Sequence, residues 1–256
     1  MGGVGTLDRM PAFVPDWDLP AGIRVLQTEC GQGPQPYGGF NLGDHVGDDP
    51  ARVMRRRQQL ADAISARPVW LQQVHGTRVV TLDTLTATTT PPEADAAMST
   101  VPGLACAIMT ADCLPVLVAD RQARVVGAAH AGWRGLASGV IEALVSAMTR
   151  VPGVTPADLT VWLGPAIGPA AFEVGQDVHD AFTHIDAANR ACFTPHPASA
   201  GKYLADLPAL ARNRLFRLGI ESVTGSQLCT VAMPERFYSY RRQPVTGRMA
   251  SLIWRV

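Results

Sequence analysis

The chain has 256 residues, 47% of them apolar, and its 22 Lys and Arg residues balance 22 Asp and Glu residues. This length supports one large domain or two small ones with a substantial core. The neutral charge balance argues against a nucleic-acid partner and against an anionic membrane surface. The five cysteines are odd in number and widely spaced, which argues against a disulfide framework and for a reducing, cytoplasmic location.

Residues 1–20 are rich in Gly and Pro, and we expect a loose N-terminal segment followed by a single domain over residues 21–256. The first residues lack the basic region and apolar core of a signal peptide. No apolar run approaches the roughly 20 residues that a membrane-spanning helix needs. The sequence therefore predicts a cytoplasmic protein without a membrane anchor, and we expect a monomer.

Predicted helices alternate irregularly with predicted strands along the chain. Asp49 suits an N-cap and Pro50 the first helical position, which predicts a helix to about Ser65. Asp206 is expected to cap a late helix that stops at Gly219. Two further helices are predicted over residues 136–148, where apolar residues recur four apart, and over residues 176–190.

Short apolar runs predict the strands. They lie at residues 24–27, 69–74, 78–82, 104–110, 115–119, 124–129, 161–163, 221–224 and 250–254. Because these strands and the helices do not alternate strictly, the pattern favours an α+β fold over a doubly wound parallel sheet.

Three polar stretches beside Gly or Pro interrupt the apolar runs, at strand ends where binding sites usually lie. They are Gln72-Gln73-Val74-His75-Gly76, Thr110-Ala111-Asp112-Cys113-Leu114-Pro115 and Ala128-Ala129-His130-Ala131-Gly132-Trp133-Arg134-Gly135.

The imidazoles of His75 and His130 and the thiolate of Cys113 form a suitable zinc ligand set with the fourth position open for catalysis. Such a metal lowers the pKa of a bound water toward neutrality. The three residues lack the short spacing of a zinc finger, so a buried Cys113 beside two ordinary polar histidines stays open. A nucleophilic Cys113 with His130 as its base is another alternative, and it leaves His75 unexplained.

Two groups of arginines are candidates for anion binding. Arg134 lies at a predicted helix start, where free amides favour an anion, although a tight turn with a surface arginine explains the same residues. Arg56 and Arg57 belong to the first helix, and the charge pattern alone assigns them to a solvated face.

Several further stretches occur in this chain in the same order as matching stretches of one known family. They are Asn41-Leu42-Gly43, His45-Val46-Gly47-Asp48-Asp49-Pro50, Ala94-Asp95-Ala96, Gly164-Pro165-Ala166-Ile167-Gly168, Phe237-Tyr238-Ser239-Tyr240-Arg241-Arg242 and Thr246-Gly247-Arg248. With the three polar stretches, they resemble the laccase-domain, YfiH-type proteins from about residue 24 to the C-terminus. That family was first described as multicopper polyphenol oxidases and is now described as purine nucleoside phosphorylases.

The resemblance implies a compact fold with two mixed β-sheets between helices. It implies zinc on His75, Cys113 and His130, and phosphorolysis of adenosine, inosine, guanosine and methylthioadenosine, with adenosine deamination as a further activity. Arg57 matches an arginine of the family, so we expect it to bind phosphate, with Arg134 as a second contact.

Three positions depart from the family pattern. Arg56 replaces the usual Asn, Tyr240 replaces a frequent His, and Gln243 replaces a frequent Asp, so no catalytic role is expected for Gln243. Deamination also needs a carboxyl group that moves protons, and known zinc deaminases use an acid that is not a ligand. We expect Asp112 to act beside Cys113 and His130 as a catalytic residue, with a purely structural role in the turn as the alternative.

Two other functions are weighed against the phosphorylase. A copper polyphenol oxidase fits the two His and one Cys of a blue-copper centre, but a multicopper enzyme needs many more histidines, and the chain has six. A non-catalytic binding or editing role in cell-wall precursor synthesis is the other. Turnover of nucleosides by the purified protein would separate these classes.

Overall fold

Fourteen strands and five α-helices are found in the residues that the computed structural model describes, 10–85 and 90–256. The strands are β1 (Ala12–Phe13), β2 (Ile23–Thr28), β3 (Arg67–Val69), β4 (Val79–Thr81), β5 (Ala96–Ser99), β6 (Leu104–Thr110), β7 (Leu114–Asp120), β8 (Val126–Ala131), β9 (Leu159–Leu163), β10 (Glu173–Gly175), β11 (Phe193–Pro195), β12 (Lys202–Ala205), β13 (Ser222–Gly225) and β14 (Met249–Arg255). The helices are α1 (Pro50–Ile64), α2 (Trp133–Ser138), α3 (Val140–Met148), α4 (Gln176–Thr183) and α5 (Leu207–Arg217).

The strands form three sheets, and the two larger ones are mixed. The five-stranded sheet has the order β1-β2-β14-β6-β3, antiparallel except for the parallel pair β6 and β3. The six-stranded sheet has the order β13-β9-β7-β8-β5-β4, with parallel pairs at both edges. The α+β class with two mixed sheets is therefore confirmed. A small antiparallel sheet, β10-β12-β11, was not predicted.

The two mixed sheets pack face to face, and helices cover their outer faces. Ile108 and Ile253 of the five-stranded sheet share a core with Leu117 of the six-stranded sheet. Because side chains alternate along a strand, Leu252 points the other way and packs with Leu60 of α1. Val116 likewise faces the opposite core, which contains residues of α3 and α5.

Most predicted elements are present, with three differences. The single predicted helix at residues 136–148 is two helices, because Gly139 adopts a left-handed conformation (φ 98°) that ends α2. Helix α4 ends at Thr183 rather than at residue 190. Residues 70–74 are not a regular strand, and His75 follows them with a left-handed φ of 62°.

The predicted loose segment lies partly outside the described residues, since the structure describes none of residues 1–9. From residue 10 onward the chain is packed: Met10 is buried, β1 pairs with β2, and Trp17 Nε1 donates a hydrogen bond to Thr160 Oγ1 at 2.9 Å. Within the described ranges, none of the helices has the length and apolar character needed to cross a bilayer.

Candidate metal centre and its cleft

Three ligand-bearing segments converge at one end of the six-stranded sheet. His75 lies in the loop between β3 and β4, Cys113 immediately precedes β7, and His130 lies within β8. Strand pairing places His130 opposite Pro115, two residues after Cys113. The antiparallel register of β7 and β8 therefore brings together two ligands that are 17 residues apart in the sequence.

The side-chain geometry suits a single metal ion. The ligand atoms of His75, Cys113 and His130 all lie within 4.8 Å of one another. Cys113 Sγ is 3.7 Å from His75 Nε2. Neighbouring sulfur and nitrogen ligands of a tetrahedral zinc ion lie about 3.6 Å apart, given ordinary Zn–S and Zn–N bond lengths. The residues present therefore fit the ion that the ligand types suggest, without rearrangement of the backbone.

The ionisation of Cys113 is coupled to that of the neighbouring His130. Burial by itself raises the pKa of the Cys113 thiol, but the adjacent His130 and His75 imidazoles outweigh burial and lower that pKa below its usual value. Burial lowers the pKa of His130, whereas Cys113 and the Asp95 carboxylate reverse this effect and raise it. The site thus favours the thiolate form of Cys113 that binds metals, whereas a metal ion would have to displace the proton that the raised pKa favours on His130.

A cavity of about 380 Å³ opens beside the cluster. This volume is suitable for a small organic molecule. Its wall combines apolar and aromatic side chains with arginines: His45, Gln73, Met109, Thr110, Ala111, Asp112, Trp133, Arg134, Ile167, Phe172, Leu207, Tyr240, Arg241 and Arg248, beside the three candidate ligands.

The arginines of this cleft form no direct ion pair with an acid among the described residues. In the part of the chain that the structure describes, Arg134, Arg241 and Arg248 form no salt bridge within 4.0 Å. Arg248 instead donates to the carbonyls of Thr246 and Gly247, and burial lowers its pKa. A half-buried guanidinium paired only with carbonyls is suited to an anionic ligand.

Sequence reasoning assigned no role to Arg241, Arg248 or Asp95, although all three lie in stretches that match the family. For Arg248, the available signal was its isolation between a glycine and the start of the apolar strand β14. For Asp95, the signal was an acidic residue flanked by alanines next to an apolar strand, where a carboxylate needs partners.

Asp112 lines the cleft, and each of its carboxylate oxygens accepts one hydrogen bond within the fold. Oδ1 accepts from Thr230 Oγ1 at 2.5 Å, and Oδ2 accepts from the backbone N–H of Arg241 at 2.6 Å. Asp112 also has a left-handed φ of 92°. These bonds support the structural alternative, in which Asp112 holds the Arg241 loop against the cluster.

Arg57, expected to contact phosphate, is not among the residues that line the cleft. It belongs to the buried stripe of α1, together with Val53, Leu60 and Ile64. Its guanidinium donates to Leu42 O at 2.9 Å and to Asp44 Oδ2 at 3.0 Å, and it lies over the Trp70 ring. The structure therefore gives Arg57 contacts within the fold, and the phosphate contact stays a prediction.

Replacing Arg57 by alanine is expected to reduce the stability of the fold without weakening phosphate selectively. Losing the bonds to Leu42 and Asp44 costs about 1–3 kcal/mol, which denaturant unfolding would measure. The control is Arg55→Ala, which removes the same charge from the exposed face of α1. A stable Arg57→Ala protein with a strongly raised KM for phosphate would restore the original assignment.

The fold and the site together define a mixed α+β protein with a His-Cys-His cluster that could hold a metal ion, beside a cleft of small-molecule size. Residues 24–256 match the family model described as multi-copper polyphenol oxidoreductase laccase, and the chain belongs to this family.

Relatives with known names resemble the chain over nearly its whole length. It is 49% identical to the purine nucleoside phosphorylase PA4543 of Pseudomonas aeruginosa, over 94% of this chain and 97% of that protein. It is 46% identical to the purine nucleoside phosphorylase YfiH of Escherichia coli, over 94% and 98%. A crystal structure of the Neisseria meningitidis protein NMB0706 superimposes with a TM-score of 0.88 at 44% identity, covering 96% of this chain and 99% of that one.

Proposed function

We propose that this protein is a zinc-dependent purine nucleoside phosphorylase that acts on adenosine, inosine, guanosine and methylthioadenosine. The observation that carries the proposal is the His75, Cys113 and His130 cluster on the wall of a cleft that also presents arginines without acidic partners. The names of the relatives from P. aeruginosa and E. coli support the same activity.

The ligand set supports zinc rather than several coppers. Two imidazoles and one thiolate with an open fourth position are typical of catalytic zinc. Among the described residues, these three form the one group of three or more potential His, Cys, Asp or Glu ligands within 4.8 Å. Residues 1–9 and 86–89 contain neither His nor Cys. The histidine-rich cluster of a multicopper oxidase therefore has no counterpart in this chain.

Phosphorolysis forms a bond between a phosphate oxygen and the sugar C1′, while the bond from C1′ to the purine nitrogen breaks. The electron pair of that bond leaves with the purine, which takes up a proton. A bound zinc ion would supply Lewis acidity beside the cleft. Arg248 and Arg134 would hold the phosphate through charge-assisted hydrogen bonds. Phe172, Trp133 and Tyr240 provide apolar surfaces against which the purine ring can pack.

The test is product analysis on the purified protein, together with its metal content. We expect about one equivalent of zinc per chain. We expect adenosine to give adenine and ribose 1-phosphate only when phosphate is present. Stoichiometric copper that survives mild chelation, with oxidation of phenols, would support the oxidase instead. No turnover of any nucleoside would support a binding or editing role.

Replacing Arg248 by alanine is expected to raise the KM for phosphate by roughly 10- to 100-fold, the equivalent of one lost charge-assisted hydrogen bond. The KM for nucleoside should change far less. Arg248→Lys should recover only part of the loss, because lysine lacks the planar fork of donors. Steady-state kinetics with varied phosphate would measure both constants.

The charge-matched control for this experiment is Arg150→Ala, since Arg150 is exposed and lies outside the cleft. Equal effects in the two variants would show that a general loss of positive charge, rather than a specific contact, explains the result. An unchanged phosphate dependence in a folded Arg248→Ala protein would refute the contact.

Adenosine deamination is the second activity included in the proposal. It replaces the exocyclic amine of the purine with oxygen from water and releases ammonia. Asp112 would move protons in this reaction through the lone pairs that its bonds to Thr230 and Arg241 leave free. Formation of inosine and ammonia from adenosine without phosphate would support this activity. We also propose that the protein acts in the cytoplasm as a monomer. Size-exclusion chromatography with light scattering would test its oligomeric state.

A further inference from the structure

Asp95 is a fully buried carboxylate that accepts four hydrogen bonds. It directly precedes β5. Oδ1 accepts from His130 Nδ1 at 2.8 Å and from the backbone N–H of His75 at 2.9 Å. Oδ2 accepts from the backbone N–H groups of Gly76 at 2.7 Å and Val74 at 3.1 Å. A buried carboxylate is costly unless such donors satisfy it, so these bonds specify its position.

The hydrogen bond between Asp95 Oδ1 and His130 Nδ1 determines the orientation of the His130 ring. Because Nδ1 donates to Asp95, the neutral ring carries its proton on Nδ1 and keeps a free lone pair on Nε2. The nitrogen left for the cluster is therefore the one that can bind a metal. The backbone strengthens this link, since the N–H of His130 donates to the Asp95 carbonyl at 2.7 Å.

The other contacts determine the backbone that carries His75. Its left-handed φ of 62° is uncommon for a residue with a side chain and costs about 1–2 kcal/mol. The N–H groups of Val74, His75 and Gly76 all point to the Asp95 carboxylate, as in the concave backbone nests that bind anions. The carboxylate thus stabilises a turn that would otherwise relax and carry His75 away from Cys113.

We propose that Asp95 is the positioning residue of the metal centre, bracing two of its three ligands with a single carboxylate. It sets the ring nitrogen that His130 presents, and it holds the turn from which His75 reaches the cluster. Asp95 acts through these two histidines and touches neither metal nor substrate. The inference rests on the proposed function only in taking the cluster as a metal site.

The test compares metal affinity and the His130 tautomer in the wild type and in Asp95→Asn. The amide keeps the shape of the side chain. In either orientation, however, its NH2 group replaces an oxygen that accepts hydrogen bonds, so those bonds are lost. Zinc affinity, measured by chelator competition, is expected to fall roughly 10- to 100-fold, as for other partners of metal-bound histidines. In the metal-free protein, at a pH high enough for His130 to be neutral, ¹⁵N NMR should show His130 protonated on Nδ1 alone in the wild type and a mixture of tautomers in the variant.

The matched control is Asp83→Asn. Asp83 also braces a turn, accepting from Ser99 Oγ and from the backbone N–H of Thr100, but it has no contact with the cluster. The Asp83→Asn variant should lose stability while keeping the wild-type zinc affinity and the wild-type His130 tautomer. Equal losses of zinc affinity in both variants would reduce Asp95 to a general structural role and overturn the proposal.

Two outcomes separate this inference from the proposed function. If the wild type binds no metal, the proposed function fails, while the tautomer comparison still decides the role of Asp95. Wild-type zinc affinity and an unchanged Nδ1–H signal in Asp95→Asn would overturn the inference alone. If Asp95→Asn does not fold, the inference is tested on the wild-type protein alone. A neutral His130 protonated on Nδ1 and slow hydrogen exchange of the backbone N–H groups of Val74, His75 and Gly76 would support the positioning role of Asp95. Their absence would refute it.

Discussion

Replacing His75 by alanine is expected to remove the metal and nucleoside turnover together while leaving the protein folded. The fold should survive because the His75 side chain is exposed and its truncation leaves no cavity in the core. A three-ligand site that loses one imidazole should bind zinc more weakly by at least the roughly 10- to 100-fold seen when mere partners of ligands are lost. Metal analysis after gel filtration and a nucleoside assay on the same sample would measure both effects.

This variant also separates the metal enzyme from a cysteine hydrolase. Cys113 is essential in both mechanisms, so Cys113→Ala distinguishes nothing. His75 is a ligand in the first mechanism, whereas in the second it only helps His130 to lower the pKa of the Cys113 thiol. The control for metal content is His45→Ala, which removes another histidine that lines the same cleft but lies outside the ligand group. A metal-free, fully active His75→Ala protein would rule out zinc catalysis, and a covalent substrate adduct on Cys113 would identify the nucleophile.

Replacing Gly132 by alanine is expected to disrupt the metal centre by adding a single methyl group. A Cβ at this position would lie 2.8 Å from His75 Cδ2 and 2.9 Å from Cys113 Sγ, closer than real Cβ atoms approach other groups. The backbone of Gly132 (φ −62°, ψ 157°) is acceptable for alanine, so the effect is purely steric. The methyl group should displace the His75 ring and reduce zinc affinity by roughly 10- to 100-fold or more.

The matched control for Gly132→Ala is Gly76→Ala. Gly76 is next to His75, and a Cβ there would meet its nearest neighbours, Asp95 Oδ2 and Val74 Cγ2, at ordinary distances of 3.5 and 3.6 Å. Thermal unfolding and zinc competition would be measured for both proteins. Gly132→Ala should keep most of its stability and lose zinc affinity, whereas Gly76→Ala should bind zinc like the wild type. Normal zinc binding by Gly132→Ala would show that the metal is held elsewhere.

Local signals in the sequence determined several elements of the fold. Asp49 caps α1 through its bond to the N–H of Arg52, and Asp206 caps α5 through the N–H of Ala209, as their residue types and positions predicted. Strand β6 occupies the predicted residues 104–110, because a continuous apolar run between polar residues suits a strand that is buried on both faces. These features depend on neighbouring residues, which a sequence displays directly.

The candidate ligands were also visible in the sequence, because thiols and imidazoles next to glycines at strand ends are unusual. Their convergence was not visible, and three ordinary polar residues remained an acceptable interpretation. The antiparallel register of β7 and β8, together with the turn held by Asp95, was needed to bring His75, Cys113 and His130 within 4.8 Å.

The surroundings of the arginines depend on the tertiary structure. Arg57 matches a family arginine, yet the helical spacing of Val53, Arg57, Leu60 and Ile64 puts it on the buried face of α1, where Asp44 and Leu42 take its donors. Arg248 also lies in a stretch that matches the family, but it faces the cleft only because β14 pairs with β6. An arginine's role depends on which acceptors surround it, and those acceptors come from distant parts of the chain.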